Sequence, residues 1–226
     1  MLINAIRQNS LILSICALVT ALLLASTYLS TKDRIAEAER AAAEKALLEI
    51  VPADRHTNDL LLDTREIPTQ FWATLGVDKS DNPKAHIARN GDQPVAIIIT
   101  TFAPDGYNGD IHMLLGINTA DGSIAGVRVI RHRETPGLGD KVDTNKSDWV
   151  FSFNGKSLGN PPLERWKVRK DGGDFDQFTG ATITPRAIVH QIARALLYFE
   201  EDKHRLLQQA VKTIQPVTTA AEADHG

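Results

Sequence analysis

The chain has one cysteine, Cys16, and it lies inside the most apolar stretch of the sequence. A single thiol excludes a disulfide, a cysteine-based zinc site and a cysteine-ligated iron-sulfur cluster, so any redox chemistry has to use an organic cofactor. Basic residues are not gathered into an arm or a face. The 25 Lys and Arg are scattered among 28 Asp and Glu for a formal net charge of −3, which argues against a nucleic-acid partner. No Gly-x-Ser-x-Gly elbow surrounds Ser152 or Ser157, so a hydrolase has no nucleophile signature. His132 and Glu134 lack a third ligand at metal-binding spacing, and the sequence points to no metal site and no catalytic residue.

Charge is missing altogether from Gln8 to Thr31. A bilayer core of about 30 Å needs roughly 20 apolar residues in a helix, so residues 10–30 read as one transmembrane crossing preceded by a short cytoplasmic segment, residues 1–9. A cleaved signal peptide is the alternative. Its apolar region is usually shorter, and Ala25-Ser26-Thr27 is a poor cleavage site. The cations after the span, Lys32, Arg34, Arg40 and Lys45, outnumber Arg7 and the α-amino group before it, which by the positive-inside rule would hold the carboxyl side in the cytoplasm. Those cations are interleaved with Asp33, Glu37, Glu39 and Glu44, and large domains translocate despite flanking charge.

Residues 31–51 are rich in Ala and Glu with apolar residues near helical spacing, which predicts a helical stalk ended by Val51-Pro52. One folded domain is expected over residues 52–213, and the small, polar residues 214–226 read as a disordered tail. Within the domain, Val95 to Phe102, Ile111 to Ile117 and Ile124 to Ile130 are β-rich runs separated by Pro104-Asp105-Gly106 and Asp121-Gly122. Short turns favour antiparallel pairing. A further short strand is expected from Arg165 to Arg169. Thr184-Pro185 reads as a capped helix start, followed by Ile188, Ile192, Ala195, Leu196 and Phe199 on one face. The predicted class is α+β: a single amino-terminal transmembrane helix, then one domain with an antiparallel sheet packed by helices.

The segment Asp176-Gln177-Phe178-Thr179-Gly180-Ala181-Thr182-Ile183-Thr184 puts a carboxylate, a flexible turn and three hydroxyls just before a helix amino terminus. That pole offers unpaired N–H groups and a positive partial charge, which suit phosphate, and Arg186 in the first turn can add a charge-assisted contact. Read from the residues alone, a plain capping turn explains the segment equally well. The same holds for Glu134-Thr135-Pro136-Gly137-Leu138-Gly139, a sound turn recipe whose glycines also allow backbone to approach a ligand closely. Lys141 is either a phosphate partner or a solvated surface cation, and Trp72, Trp149 and Trp166 read as core or interface anchors.

Asp176-x-x-Thr179-Gly180-Ala181-Thr182 resembles the Asp-x-x-Ser/Thr-Gly-Ala-Thr signature of FMN-binding domains, and Glu134 to Gly139 resembles a second segment of the same families. With Gly106-Tyr107-Asn108-Gly109, the anchor and the chain length, the sequence is similar throughout to the G subunits of Rnf (Rsx) electron-transport complexes. The resemblance implies FMN (flavin mononucleotide) held covalently by a phosphoester on Thr182. It further implies contacts from Asp176, Thr179, Gly180, Ala181, Thr184, Arg186, Glu134, Thr135, Pro136, Gly137, Leu138, Gly139 and Lys141. It places the chain in a bacterial inner membrane, with its amino terminus cytoplasmic and its domain periplasmic. The implied role is electron transfer in an ion-translocating ferredoxin:NAD oxidoreductase, with other membrane and iron-sulfur subunits and a flavin transferase as partners. The NqrC family of the sodium-translocating NADH:quinone reductase shares these parts and is the second resemblance; a non-redox anchored assembly module is the alternative of a different class.

Overall fold

The computed structural model describes residues 2–77 and 83–208 and divides into two compact units between Lys45 and Ala46. The expected tail, residues 214–226, lies outside the described residues. The first unit is helical throughout: α1 runs unbroken from Leu2 to Ile50, so the predicted span and stalk are one helix. No Gly or Pro interrupts it, and Ala and Leu, both strong helix formers, dominate its composition. Its hydroxyls turn inward: Ser14, Thr20 and Thr27 each donate to the carbonyl one turn earlier at 2.8 Å. Polar groups satisfied within the helix are what hydrocarbon requires. Leu11, Leu13, Leu18 and Leu22 to Leu24 are exposed, and from Asn9 onward the helix is long and apolar enough to cross a membrane.

The last turn of α1 belongs to the second unit, where Leu47, Ile50 and Val51 are buried. Pro52 stops the helix, because the residue before a proline is pushed away from helical geometry. Arg128 caps the open end: its Nη2 donates to the Glu49 carbonyl at 3.0 Å and its Nε to Glu49 Oε2 at 2.9 Å.

Five strands follow, β1 (Thr64–Glu66), β2 (Lys84–Asn90), β3 (Gln93–Ala103), β4 (Ile111–Asn118) and β5 (Ile124–Arg131), paired antiparallel in sequence order. Because successive side chains alternate between faces, Ile97 and Ile99 of β3 with Met113, Leu115 and Ile117 of β4 enter one core, and Ala96, Ile98 and Leu114 enter another. The first core is covered by α2 (Ile183–Gln208), through Ile188, Ile192, Ala195, Leu196 and Phe199. The second is covered by Leu47, Ile50, Val51 and Leu60. Both faces are therefore buried. Gly116 and Gly126 sit opposite each other on β4 and β5 and make the shallow groove that receives Ile50.

The predicted strands at Val95, Ile111 and Ile124 are β3, β4 and β5, whereas β1 and β2 were not anticipated. The strand expected at Arg165 to Arg169 is absent. Two 3-10 turns stand there, Leu163–Arg165 and Arg169–Asp171, and Val168 makes a single bridge to Phe175. The physical reason is the aromatic cluster: Trp166 is buried against Phe175 at 4.8 Å and Phe153 at 6.5 Å, and its indole N–H donates to the Pro161 carbonyl at 3.0 Å. Side-chain burial on both sides of the segment replaces ladder pairing.

Candidate functional site

Three stretches of chain meet at the amino terminus of α2: the β3–β4 connection, the segment after β5, and the turn before the helix. Between them is a pocket of about 280 Å³. The first stretch contributes Tyr107, the second Glu134, Thr135, Leu138 and Gly139, and the third every residue from Gly180 to Thr184.

The third stretch is built by its glycine. The Ala181 N–H donates to the Phe178 carbonyl at 3.1 Å, closing a four-residue turn, and Gly180 stands in its third position with φ of +81°. A type II turn needs positive φ there, which glycine adopts without a steric penalty. Behind the turn, Trp149 donates from Nε1 to the Asp176 carbonyl at 2.8 Å, and its ring meets Phe178 edge-on at 5.0 Å. Trp149 is thus a support that sequence reading grouped only with core or interface anchors.

Thr182 then takes the capping position: its carbonyl accepts the Arg186 N–H at 3.2 Å, and the helix begins at Ile183. The predicted cap, Thr184, is instead the second residue of the helix, and its hydroxyl donates to Glu134 Oε2. Pro185 falls in the first turn, where its missing N–H costs nothing. Ile183 and Thr184 carry the N–H groups that helix geometry leaves without intrahelical partners. Among the described residues, none hydrogen-bonds the Thr182 side chain.

In the second stretch, the Thr135 carbonyl accepts the N–H groups of Leu138 at 3.1 Å and Gly139 at 3.0 Å, which folds Glu134 to Gly139 into a tight loop. Asn108 ties the first stretch to it, donating from its side-chain amide to Thr135 Oγ1 at 3.1 Å. His132 is held by its neighbours: Nδ1 accepts the Glu134 N–H at 3.0 Å and Nε2 meets Asp143 at 3.1 Å.

Several residues expected at the site do not line the pocket. Pro136 and Gly137 form the exposed tip of their loop, and Thr179 is exposed on its turn. Asp176 pairs with Arg169 at 2.7 Å on the surface. Arg186 is held by Asp171 through two bonds, and Lys141 sits half-buried in a short 3-10 turn, Asp140–Val142, outside the lining. Tyr107 and Ile183 line it and were not among the expected contacts.

These residues fit a flavin nucleotide. The N–H groups and the free hydroxyl at the head of α2 suit a phosphate, while the mouth of the pocket is apolar, with Tyr107 64%, Leu138 44% and Ile183 44% exposed. The volume is just under the roughly 300–1,000 Å³ of sites that swallow a drug-sized ligand, so part of a flavin would lie at the surface.

Comparison with known proteins agrees. The FMN-binding domain family matches residues 106–197, a span that contains every residue lining the pocket, and the RnfG N-terminal region matches residues 1–50. The G subunit of the ion-translocating oxidoreductase complex of Vibrio atlanticus (strain LGP32) is 45% identical over 208 residues, 92% of this chain and 97% of the relative. The protein of the same name from Pseudomonas aeruginosa (strain UCBPP-PA14) is 48% identical over 204 residues, 90% and 93% of the two chains. Among solved structures, Shewanella oneidensis NqrC overlays with a TM-score of 0.46 at 19% identity, covering 68% of this chain and 72% of that one. With an FMN-binding domain carrying the pocket and likeness along nearly the full length of both relatives, the chain belongs to the RnfG family, the G subunits of ion-translocating oxidoreductase complexes.

Proposed function

We propose that this chain is an electron-transfer subunit of a membrane-bound, ion-translocating ferredoxin:NAD oxidoreductase, and that its FMN is joined to Thr182 by a phosphoester. The observation that carries the attachment site is the different state of three neighbouring threonines. Thr184 is fully buried with its hydroxyl given to Glu134, Thr179 stands outside the pocket, and Thr182 lines it with an uncommitted hydroxyl at the head of a helix. An ester at that oxygen keeps the phosphate beside the N–H groups of Ile183 and Thr184, where the helix dipole stabilises negative charge.

When bound, FMN supplies the one- and two-electron redox chemistry; the protein supplies tether, orientation and surroundings. Thr182 is the tether. Gly139 and Gly180 leave room at the walls, and the apolar side chains of Tyr107, Leu138 and Ile183 cover what the pocket cannot enclose. A cofactor held at the surface by such a rim is accessible to a redox partner. In this reading α1 anchors the domain in the inner membrane with the amino terminus in the cytoplasm. The domain is periplasmic, where a flavin transferase loads it and the other membrane and iron-sulfur subunits assemble around it.

The test is coexpression with a flavin transferase, then denaturing electrophoresis under ultraviolet light and intact mass. The wild-type chain is expected to gain the mass of one FMN less one water and to fluoresce, and Thr182→Ala to do neither. Fluorescence that survives Thr182→Ala overturns the assignment. For topology, a new cysteine in the domain is expected to react with an impermeant thiol reagent in spheroplasts; complete protection overturns the periplasmic placement.

A further inference from the structure

Glu134 is 5% exposed, and its carboxylate meets three separate stretches of chain. Oε1 accepts the backbone N–H of Asn108 at 3.1 Å, and Oε2 accepts the hydroxyl of Thr184 in the first turn of α2. Within its own loop, Gly139 leaves the space the carboxylate occupies: a Cβ there would stand 2.7 Å from Oε2, 2.8 Å from the Glu134 Cβ and 3.0 Å from Thr184 Oγ1. Gly106 does the same on the other side, where a Cβ would lie 3.0 Å from Oε1. Each stretch that this one side chain touches also supplies a wall of the pocket.

The partners of the carboxylate are neutral donors, a peptide N–H and a hydroxyl, and no ion pair to a described cation is formed. A buried anion lining a pocket suited to phosphate would repel the ligand, so charge balance does not account for its presence. Geometry does. A carboxylate offers two acceptor oxygens in one plane, enough to hold two backbone segments at a fixed separation.

We propose that Glu134 is a positioning residue that assembles the pocket before the cofactor arrives, clasping Asn108 to the first turn of α2 and sequestering the Thr184 hydroxyl so that Thr182 presents the free one. This rests on the reading that Thr182 carries the flavin. The role needs acceptor and donor geometry, not charge. A glutamine keeps it: the amide oxygen accepts the Asn108 N–H, and the amide nitrogen donates to Thr184 Oγ1, since a hydroxyl is both donor and acceptor.

The experiment uses the full chain in detergent, with Glu134→Ala, Glu134→Gln and Thr184→Val, and two measurements. Amide exchange is followed at Asn108 in protein made without a flavin transferase, and the rate of FMN attachment is followed by intact mass once the transferase and its flavin nucleotide are added. In Glu134→Ala and Thr184→Val, exchange at Asn108 is expected to quicken roughly tenfold as a bond to a charged acceptor is lost or loosened. Attachment is expected to slow by roughly tenfold or more as the hydroxyl loses its placement. Glu134→Gln is expected to restore most of both. Thr184→Val keeps the shape of the side chain and serves where Glu134→Ala does not fold. Exchange and attachment unchanged in both disruptive variants would overturn the proposal, as would a Glu134→Gln chain that fails as Glu134→Ala does. A wild-type chain that never gains FMN on Thr182 would defeat the attachment reading instead, and exchange at Asn108 would still decide the clasp.

Discussion

Arg186, one turn into α2, grips Asp171 with two bonds, Nε to Oδ2 at 2.6 Å and Nη2 to Oδ1 at 2.9 Å. A guanidinium so engaged is not free to serve as the phosphate partner suggested by its position in the sequence. The hydrogen bond from Arg186 is the main reason the Asp171 carboxyl is held below its ordinary value, with burial opposing and the charges of Arg186, His190 and Lys170 adding to it. A depressed carboxyl stabilises the fold above the unfolded value, about 4, and loses that contribution as pH falls through the folded one. The pair is solvent-exposed, so its effect is small. Arg186→Ala is expected to leave FMN attachment to Thr182 at the wild-type extent by intact mass. Its small deficit in melting temperature at neutral pH is expected to vanish in melts below about pH 4. Loss of attachment would return Arg186 to the phosphate.

Gly180→Ala and Gly139→Ala test two different uses of glycine around the same pocket. At Gly180 the backbone has φ of +81° with only Leu138 near a new Cβ, so the penalty is conformational, about 1 kcal/mol. At Gly139 the added methyl runs into Glu134 itself, and the penalty is steric, roughly 1–3 kcal/mol. Denaturant titration is expected to rank Gly139→Ala as the more damaging, and Glu134→Ala in the same chain is expected to relieve part of that cost by removing the obstructed side chain. Equal destabilisation with and without Glu134 would count against the steric account.

The parts legible in the sequence are those with a strong local signal. An uncharged run gives α1, apolar runs between Pro-Asp-Gly and Asp-Gly turns give β3 to β5, and Thr-Pro ahead of a periodic apolar face gives α2 to within a residue. β2 escaped because Lys84, His86 and Arg89 break its apolar pattern, and β1 because three residues carry too little pattern to register. Its pairing with β2 is a tertiary fact. The same division runs through the site. Thr182 and its turn are readable because capping and positive φ have local recipes, whereas the bond from Thr184 to Glu134 spans 50 residues and redirects a hydroxyl that local rules assign to capping. Trp149 is equally silent in sequence, since nothing around it signals that its indole holds Asp176.

Ile50 gives a test of how the last turn of α1 is bound into the domain. Its Cγ2 occupies the space where a Cβ on Gly116 would be, and its backbone lies over Gly126, so two glycines facing each other across β4 and β5 exist to admit one side chain. Ile50→Ala empties that groove and is expected to cost about 2–5 kcal/mol in denaturant titration. Gly116→Ala is expected to be comparably harmful in the wild-type chain and much better tolerated with Ile50→Ala, because the new methyl then fills space the isoleucine has left. Additive losses in the double variant would show that the two positions do not share the groove.

Tyr198 supplies a pH-dependent test far from the pocket. Its hydroxyl donates to Asp202 Oδ2 at 2.9 Å, Arg205 holds the same carboxylate with Nε at 2.8 Å from Oδ1, and the ring meets Phe71 edge-on at 4.9 Å. Burial is the first cause pushing the phenol above its ordinary value; the charge of Asp202 and the hydrogen bond to it push further, and Arg205 opposes. A raised folded value means the stabilisation is complete below the unfolded one, about 10, and is lost as pH rises toward the folded one, because the unfolded chain gives up its proton first. Thermal melts of the wild-type chain are expected to decline above about pH 10 more steeply than those of Tyr198→Phe. At neutral pH the order reverses, with Tyr198→Phe less stable by about 1–3 kcal/mol for the lost bond to a charged acceptor. Parallel melting curves across the alkaline range would mean that the phenol ionises as easily folded as unfolded, and that Asp202 is held by Arg205 alone.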